Sequence, residues 1–388
     1  MRLDRTEKVR QAMEKYGYDA LLVTRGTNIE YAITTTDYCN RGNNGEKYVL
    51  MFRDPDKDPI VFECIGPDLE ITKMYNPWIK EENLRYAIPY KMSGPAYDYL
   101  QKRYINQIKD ALKERGLGAG SNVAIDFIDH GTWEAFRAEG LELIEGGKLF
   151  SEIVVIKTPE EIECMKVAGS VVEAAYWKMR HEWVKPGVRE NQVVGKLMDF
   201  YISNGLTVKG AIFCSGPNTN PLHRSWTDRI IQQGDMVIVD CGMTQYQGYG
   251  FDIIRAWPVE APFTEKQKEV YREAYYSLQN AIGSLKPGSD TAELVSHFPV
   301  GVADEVKSTG LIQFSHSVGM GDYDGYWSSR GFSPEYPAPI MQDMVLSVET
   351  YVASPEGPAV RLEDQVVVTD QGAVPICRVP FEKEALED

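Results

Sequence analysis

Apolar residues fall along this chain in two rhythms, one near 3.6 residues and one near two. Val9, Met13 and Tyr16 share one side of a helix that Gly17 would end, and Ala20-Leu21-Leu22-Val23-Thr24 then reads as a buried strand. Strands are expected over 48–52 and 59–64, and a helix over about 97–115. Gly116, Gly118 and Gly120 stop that helix, and Val123-Ala124-Ile125-Asp126 restarts a strand. The β-branched run Ile153-Val154-Val155-Ile156 reads as the closing strand. Strands alternating with helices fit an open α/β unit.

The rhythm changes at Lys157-Thr158-Pro159-Glu160-Glu161-Ile162. Thr158 can cap a helix, Pro159 suits its first turn, and Glu161, three residues on, completes a capping box. The chain is therefore divided into residues 1–156 and 157–388. Helices are expected in the second part over about 159–182, 189–204, 264–284 and 291–306. Strands are expected up to Cys214, over 236–241 and 249–257, and near 313–318, 344–352 and 360–369. Helices and antiparallel strands intermixed, with no helix after each strand, give an α+β class.

Composition narrows the function classes. The 388 residues are 43% hydrophobic, enough for a sizeable core, and 41 Lys+Arg against 57 Asp+Glu give a net charge of −16. Such a chain repels polyanions, so nucleic acid and anionic membrane surfaces are not expected partners. No stretch approaches the ~18–20 apolar residues of a membrane span. The start, Met1-Arg2-Leu3-Asp4-Arg5-Thr6-Glu7-Lys8, lacks the apolar centre of a secretory signal. Cys39, Cys64, Cys164, Cys214, Cys241 and Cys377 form no C-x-x-C pair. A reduced, cytoplasmic protein without a structural zinc site or disulfide framework is expected.

The candidate chemistry lies in carboxylates set among apolar residues. Asp240 ends the run Met236-Val237-Ile238-Val239, and Asp252 lies between Phe251 and Ile253, where an uncompensated charge is expensive. A turn from Met243 to Gly248 would fold the two strands together and face both carboxylates to one side, with a cation between them. The alternative is that one pairs with Arg255 and the other caps a turn. Glu349 ends Val345-Leu346-Ser347-Val348, Glu363 precedes Asp364-Gln365-Val366-Val367-Val368, and His316 sits in Phe314-Ser315-His316-Ser317-Val318-Gly319. Four such carboxylates and a histidine form a ligand set for two adjacent divalent cations, compatible with manganese, iron, cobalt or zinc.

The order Asp240, Asp252, His316, Glu349, Glu363, set in Val-Asp-Cys-Gly, Gly-Tyr-Gly-Phe-Asp-Ile-Ile-Arg, Met-Val-Leu-Ser-Val-Glu and Arg-Leu-Glu-Asp, resembles the pita-bread superfamily. That group includes methionine aminopeptidase, aminopeptidase P, prolidase, creatinase, ectoine hydrolase and the dimethylsulfoniopropionate lyases. The Thr158-Pro159-Glu160-Glu161-Ile162 entry and the Ser215-Gly216-Pro217-Asn218 loop are similar to its aminopeptidase P and creatinase branch. The resemblance implies a creatinase-like N-terminal domain followed by a metal-dependent catalytic domain. It implies two cations bridged by Asp252 and Glu363, Glu349 as proton shuttle and His223 in the substrate pocket. It further implies a homodimer in which loop 37–45, with Arg41, reaches the partner's site.

The chain also departs from these relatives. The peptidases carry a second histidine seven residues after the ligand histidine, where this chain has Tyr323, which argues for a small non-peptide substrate. Asp322 occupies the position of the lyases' proposed base, but their additional aspartate two residues beyond the first ligand is here Gly242. Trp226, Tyr323, Tyr326 and Trp327 are expected in loops, either facing a cationic or zwitterionic substrate or packing as a lid. The expected function is hydrolysis of a C–N bond in an Xaa-Pro-type peptide or a small amide or amidine by metal-activated water. A metal-dependent lyase of the dimethylsulfoniopropionate-cleaving type is the alternative, and a non-catalytic binding protein on the same fold a third.

Overall fold

In the computed structural model, which describes all residues except 34–46, 65, 92, 221–223, 243, 299–312, 355–356 and 388 and the side chains of Asp322 and Tyr323, helix α1 (Arg2–Tyr16) opens the chain. It buries Val9, Ala12 and Met13, and Gly17 ends it in the left-handed conformation, φ 73°. That conformation suits a residue without a Cβ. The residues divide into two compact units, Met1–Ile153 and Val154–Asp388.

The first unit is built on strands β1 (Ala20–Val23), β2 (Tyr48–Phe52), β3 (Ile60–Glu63), β4 (Leu84–Tyr86), β5 (Val123–Ile125) and β6 (Leu143–Glu145), in the order β4-β3-β2-β1-β5-β6. β1 pairs parallel with β5 and antiparallel with β2. Every residue of β1 is buried, which is why it reads as an unbroken apolar run. Helices α2 (Gly26–Ile33), α3 (Gly66–Tyr75), α4 (Tyr97–Glu114), α5 (His130–Ala138) and α6 (Gly147–Ile153) complete the unit. The strand expected over 153–156 does not form. α6 runs to Ile153, and Ile156 makes one isolated bridge, to Met344. Burial drives that β-branched run, and burial alone does not require a ladder.

The second unit starts as the capping box requires. In α7 (Pro159–Lys178), the Glu161 backbone N–H donates to Thr158 Oγ1 at 3.3 Å and the Thr158 N–H to Glu161 Oε2 at 2.6 Å. Glu161 Oε1 accepts from the Tyr249 hydroxyl at 2.6 Å, tying the helix start to the sheet. Next come α8 (Glu190–Ser203), β7 (Thr207–Val208), β8 (Ile212–Ser215), β9 (Met236–Asp240), β10 (Thr244–Tyr246), β11 (Tyr249–Phe251) and β12 (Ile254–Pro258). Helices α9 (Glu265–Ser284) and α10 (Thr291–Ser296) follow; the rest of the helix expected to 306 lies largely outside the described residues. The chain then forms β13 (Gln313–Gly319), β14 (Asp322–Ser329), β15 (Val345–Glu349), β16 (Val352–Ala353), β17 (Ala359–Val360), β18 (Glu363–Thr369) and β19 (Gly372–Pro375).

Among the described residues the main sheet runs β14-β13-β15-β18-β12-β9-β8, with β19 also on β18, and its pairings are antiparallel. One apolar cluster packs α9 and α10 on this sheet, and a second packs α7 and α8. Buried Lys157 fastens the entry to the sheet. Its Nζ lies 2.6 Å from the Val154 carbonyl, 3.3 Å from Ser317 Oγ and 2.8 Å from Asp324 Oδ1, joining it to β13 and β14.

Candidate metal centre

Pairing register delivers four acidic or imidazole side chains to one region of this sheet. Asp240, last in β9, pairs with Ile254; Ile254 pairs with Glu363, first in β18; and Glu363 pairs with Glu349, last in β15. Directly opposed residues share a face. His316 of β13 opposes Ser347, two residues before Glu349, so the strand period of two puts it on that face as well. Asp252 arrives differently. Residues 244–251 make their own hairpin, β10–β11, and Asp252 lies in the two-residue break before β12. Gln365 Oε1 accepts the Asp252 backbone N–H at 2.7 Å and fixes the break. All five residues are at most 9% exposed.

They form two subsets. Ligand atoms of Asp252, His316 and Glu363 lie within 4.8 Å of one another. His316 Nε2 is 3.6 Å from Asp252 Oδ2 and 3.5 Å from Glu363 Oε1. No N–H or O–H of the described residues reaches Asp252 Oδ1 or either oxygen of Glu363. Burial pushes the Asp252 carboxyl well above the usual carboxylate range, with Glu363 and Asp240 adding to it. Burial, then Glu349 and Asp240, raises Glu363 in the same way. Buried oxygen acceptors without donors, beside an imidazole, fit a divalent cation.

In the second subset a guanidinium already compensates the charge. Arg361 Nη1 donates to Asp240 Oδ2 at 3.2 Å, and Nη2 to Glu349 Oε2 at 2.7 Å and the Tyr351 hydroxyl oxygen at 3.2 Å. Gln313 Nε2 donates to Glu349 Oε1 at 2.9 Å, and the Gly242 N–H to Asp240 Oδ1 at 3.0 Å. Burial pushes Glu349 up, but the charges of Arg361 and His316 outweigh it and hold the carboxyl below its ordinary value. Arg361, Gln313 and Gln365 were not among the expected site residues. A signal existed for the first, since Arg361 precedes Glu363 by the strand period. Arg255, the alternative partner for the aspartates, instead pairs with Asp364 at 2.6 Å and donates to the Glu363 carbonyl.

The other expected residues are placed less fully. Arg41 and His223 lie outside the described residues. Asp322 opens β14 opposite Gly319 and Tyr323 opposes Val318, but their side chains lie outside the described residues. Trp226, 43% exposed, lies between β8 and β9. Tyr326 and Trp327 belong to strand β14, not to a loop; Trp327 opposes His316 and is 48% exposed. Their aromatic rings suit a pleated edge, and β13 supplies the partner.

The raised carboxyls give the metal-free protein a pH signature. Between the ordinary carboxylate value of about 4 and the raised native values, folded Asp252 and Glu363 retain protons that the unfolded chain has released. The native state then binds more protons, so stability falls as pH rises through that window. Glu349 works in the opposite sense, losing its contribution as pH falls through its lowered value. Thermal melts in chelator are expected to show a melting temperature that declines from pH 5 to pH 8, and added Mn²⁺ to flatten the slope. A chelated protein with the opposite slope would contradict this electrostatic picture.

Residues 163–370 match the profile of metallopeptidase family M24. The chain is 26% identical to a dimethylsulfoniopropionate lyase of Roseovarius nubinhibens, over 98% of this chain and 86% of that protein. It is also 26% identical to an uncharacterized peptidase of Bacillus subtilis, over 97% and 98%. An Xaa-Pro dipeptidase from Bacillus anthracis superposes with a TM-score of 0.76 at 21% identity, covering 98% of this chain and 99% of that one. This likeness shows a shared fold, the pita-bread arrangement expected from the motifs.

Proposed function

This chain belongs to metallopeptidase family M24, and from that premise we propose that it is a metal-dependent hydrolase of a C–N bond. The substrate is an Xaa-Pro-type dipeptide or a small amide or amidine. The observation that carries the reading is the convergence of Asp252, His316 and Glu363, with carboxylate oxygens that no donor of the described residues reaches. Asp240, Asp252, His316, Glu349 and Glu363 would hold the divalent ions, two by the size of the ligand set. Bound there, the ions supply Lewis acidity and lower the pKa of water from ~15.7 toward ~7.

The side chains do the rest. Arg361 keeps Glu349 ionised, so Glu349 can take a proton from the attacking water and return it to the leaving nitrogen, a role worth ~10²–10⁴ in rate. Gln313 orients that carboxylate through Oε1. Gln365 holds Asp252 by its backbone, and Arg255 holds Glu363 by its carbonyl. His223, Trp226, Tyr323 and Arg41 are assigned to substrate binding, the last across a homodimer. The first unit is assigned as a creatinase-like N-terminal domain.

Lyase chemistry is the second reading, supported by the 26% identity to a dimethylsulfoniopropionate lyase along nearly the whole chain, with Asp322 as base. Position 242 weighs against it. A Cβ built on Gly242 would lie 2.6 Å from Asp252 Oδ1 and 3.0 Å from Asp240 Oδ1, so no aspartate side chain fits there as the site stands. The deciding experiment incubates manganese-supplemented protein with Xaa-Pro dipeptides, creatine, ectoine and dimethylsulfoniopropionate and analyses products by mass spectrometry. Fragments that together weigh one water more than a substrate are expected. Acrylate with dimethyl sulfide would replace the hydrolase reading by the lyase one.

A further inference from the structure

We infer that the first unit carries its own small-molecule site, for a planar aromatic acid with a polar group at its far end. The place is set by topology. From β1 the chain turns to one side of the sheet, toward β2, and from β5 to the other, toward β6. The two parallel strands therefore flank the point where strand order reverses, and the crevice beyond their carboxyl ends is where open α/β sheets take ligands. A cavity of about 410 Å³ lies there, lined by Thr24 and Arg25 after β1 and by Ile125 and Phe127 at the end of β5. Its volume falls in the ~300–1,000 Å³ range of small-ligand pockets.

The lining names the chemistry. Tyr104 is 4% exposed, yet its hydroxyl has no hydrogen-bond partner among the described residues, and its ring lines the cavity. That ring is wedged by Tyr48, Tyr90 and Phe136 at 4.9, 5.1 and 5.6 Å between centroids, which makes a rigid aromatic wall. A phenol that lines a cavity and makes no hydrogen bond to the described residues offers a ligand one polar contact in an otherwise aromatic wall. Arg25 and Lys91 bring positive charge. The nearby acids are already engaged. Asp126 accepts from the Thr24 and Arg25 N–H groups, the Thr24 hydroxyl and the Asn28 amide. Asp129 caps α5 and lies 3.7 Å from Lys91 Nζ. The Arg25 guanidinium has no partner among the described residues, so it is available to a carboxylate.

The probe is 4-hydroxybenzoate, titrated calorimetrically into the full-length protein, with benzoate and phenol as controls. Saturable one-to-one binding is expected for 4-hydroxybenzoate, with phenol much weaker. Arg25→Ala should weaken it at least about tenfold, the effect of losing one hydrogen bond to a charged group. Tyr104→Phe should weaken 4-hydroxybenzoate by about fivefold and leave benzoate unchanged. Asp252→Asn should leave binding intact, since it alters the metal centre. No saturable binding at millimolar concentration, binding indifferent to both Arg25→Ala and Tyr104→Phe, or binding lost in Asp252→Asn would each overturn the assignment.

Discussion

Glu363→Gln is expected to remove turnover and metal retention together while leaving the metal-free fold at least as stable as before. The replacement keeps the volume and removes one negative charge. Glu363 is 1% exposed and neither of its oxygens meets a donor among the described residues, so its ionised form destabilises the metal-free chain. Loss of that charge therefore does no harm until a cation is needed. With metal the balance reverses. Ligand-linked stabilisation is ~2.7 kcal/mol at a metal concentration 100 times Kd, and it should vanish in the variant. Lewis-acid stabilisation of several kcal/mol corresponds to a fall in kcat/KM of ~10³ or more. Melting temperatures with and without Mn²⁺, metal content by elemental analysis and turnover decide the matter. Full turnover by Glu363→Gln would end the metal-centre reading.

How far the chain announced this site follows from where each residue sits. Asp240 and Glu349 were legible because an uncompensated carboxylate at the end of an apolar strand is expensive and calls for a partner. Glu363 was legible from its motif. The register that aligns all three was not, because it hinges on the pairing of Ile254 with Glu363, more than 100 residues apart, which leaves no local pattern. Asp252 was found for a partly mistaken reason, since the break before β12 aims it and not a simple hairpin. Strand β14 was hidden by Gly321-Asp322-Tyr323-Asp324-Gly325, which has turn chemistry. Gly321, at φ 88°, is indeed a turn residue, but the strand begins directly after it. Gly325, at φ 67°, is a glycine inside a strand because a Cβ there would lie 2.6 Å from Val155 Cγ2. A close approach between distant segments thus looked, in sequence, like a loop.

Arg361→Met is expected to have the largest effect on stability, and metal should reverse much of it. Arg361 is 2% exposed and stands between Asp240 and Glu349, with its guanidinium carbon 4.7 Å from the centre of the Tyr351 ring. Methionine fills similar apolar volume but leaves two buried carboxylates without their cation. Breaking a buried pair in this way costs ~3–5 kcal/mol in the metal-free protein. Divalent ions compensate the same carboxylates, so the loss should shrink in Mn²⁺, and the metal-induced rise in melting temperature should exceed that of the parent. Arg361→Lys should fall between, because one ammonium cannot match the fork that meets both acids. The activity profile offers a separate readout. Glu349 sits below its ordinary value largely through Arg361, so its pKa should rise in Arg361→Met and the acidic limb of kcat should move to higher pH. An unshifted limb would remove Arg361 from the control of Glu349, and equal melting temperatures in chelator would remove it from the stability of the site.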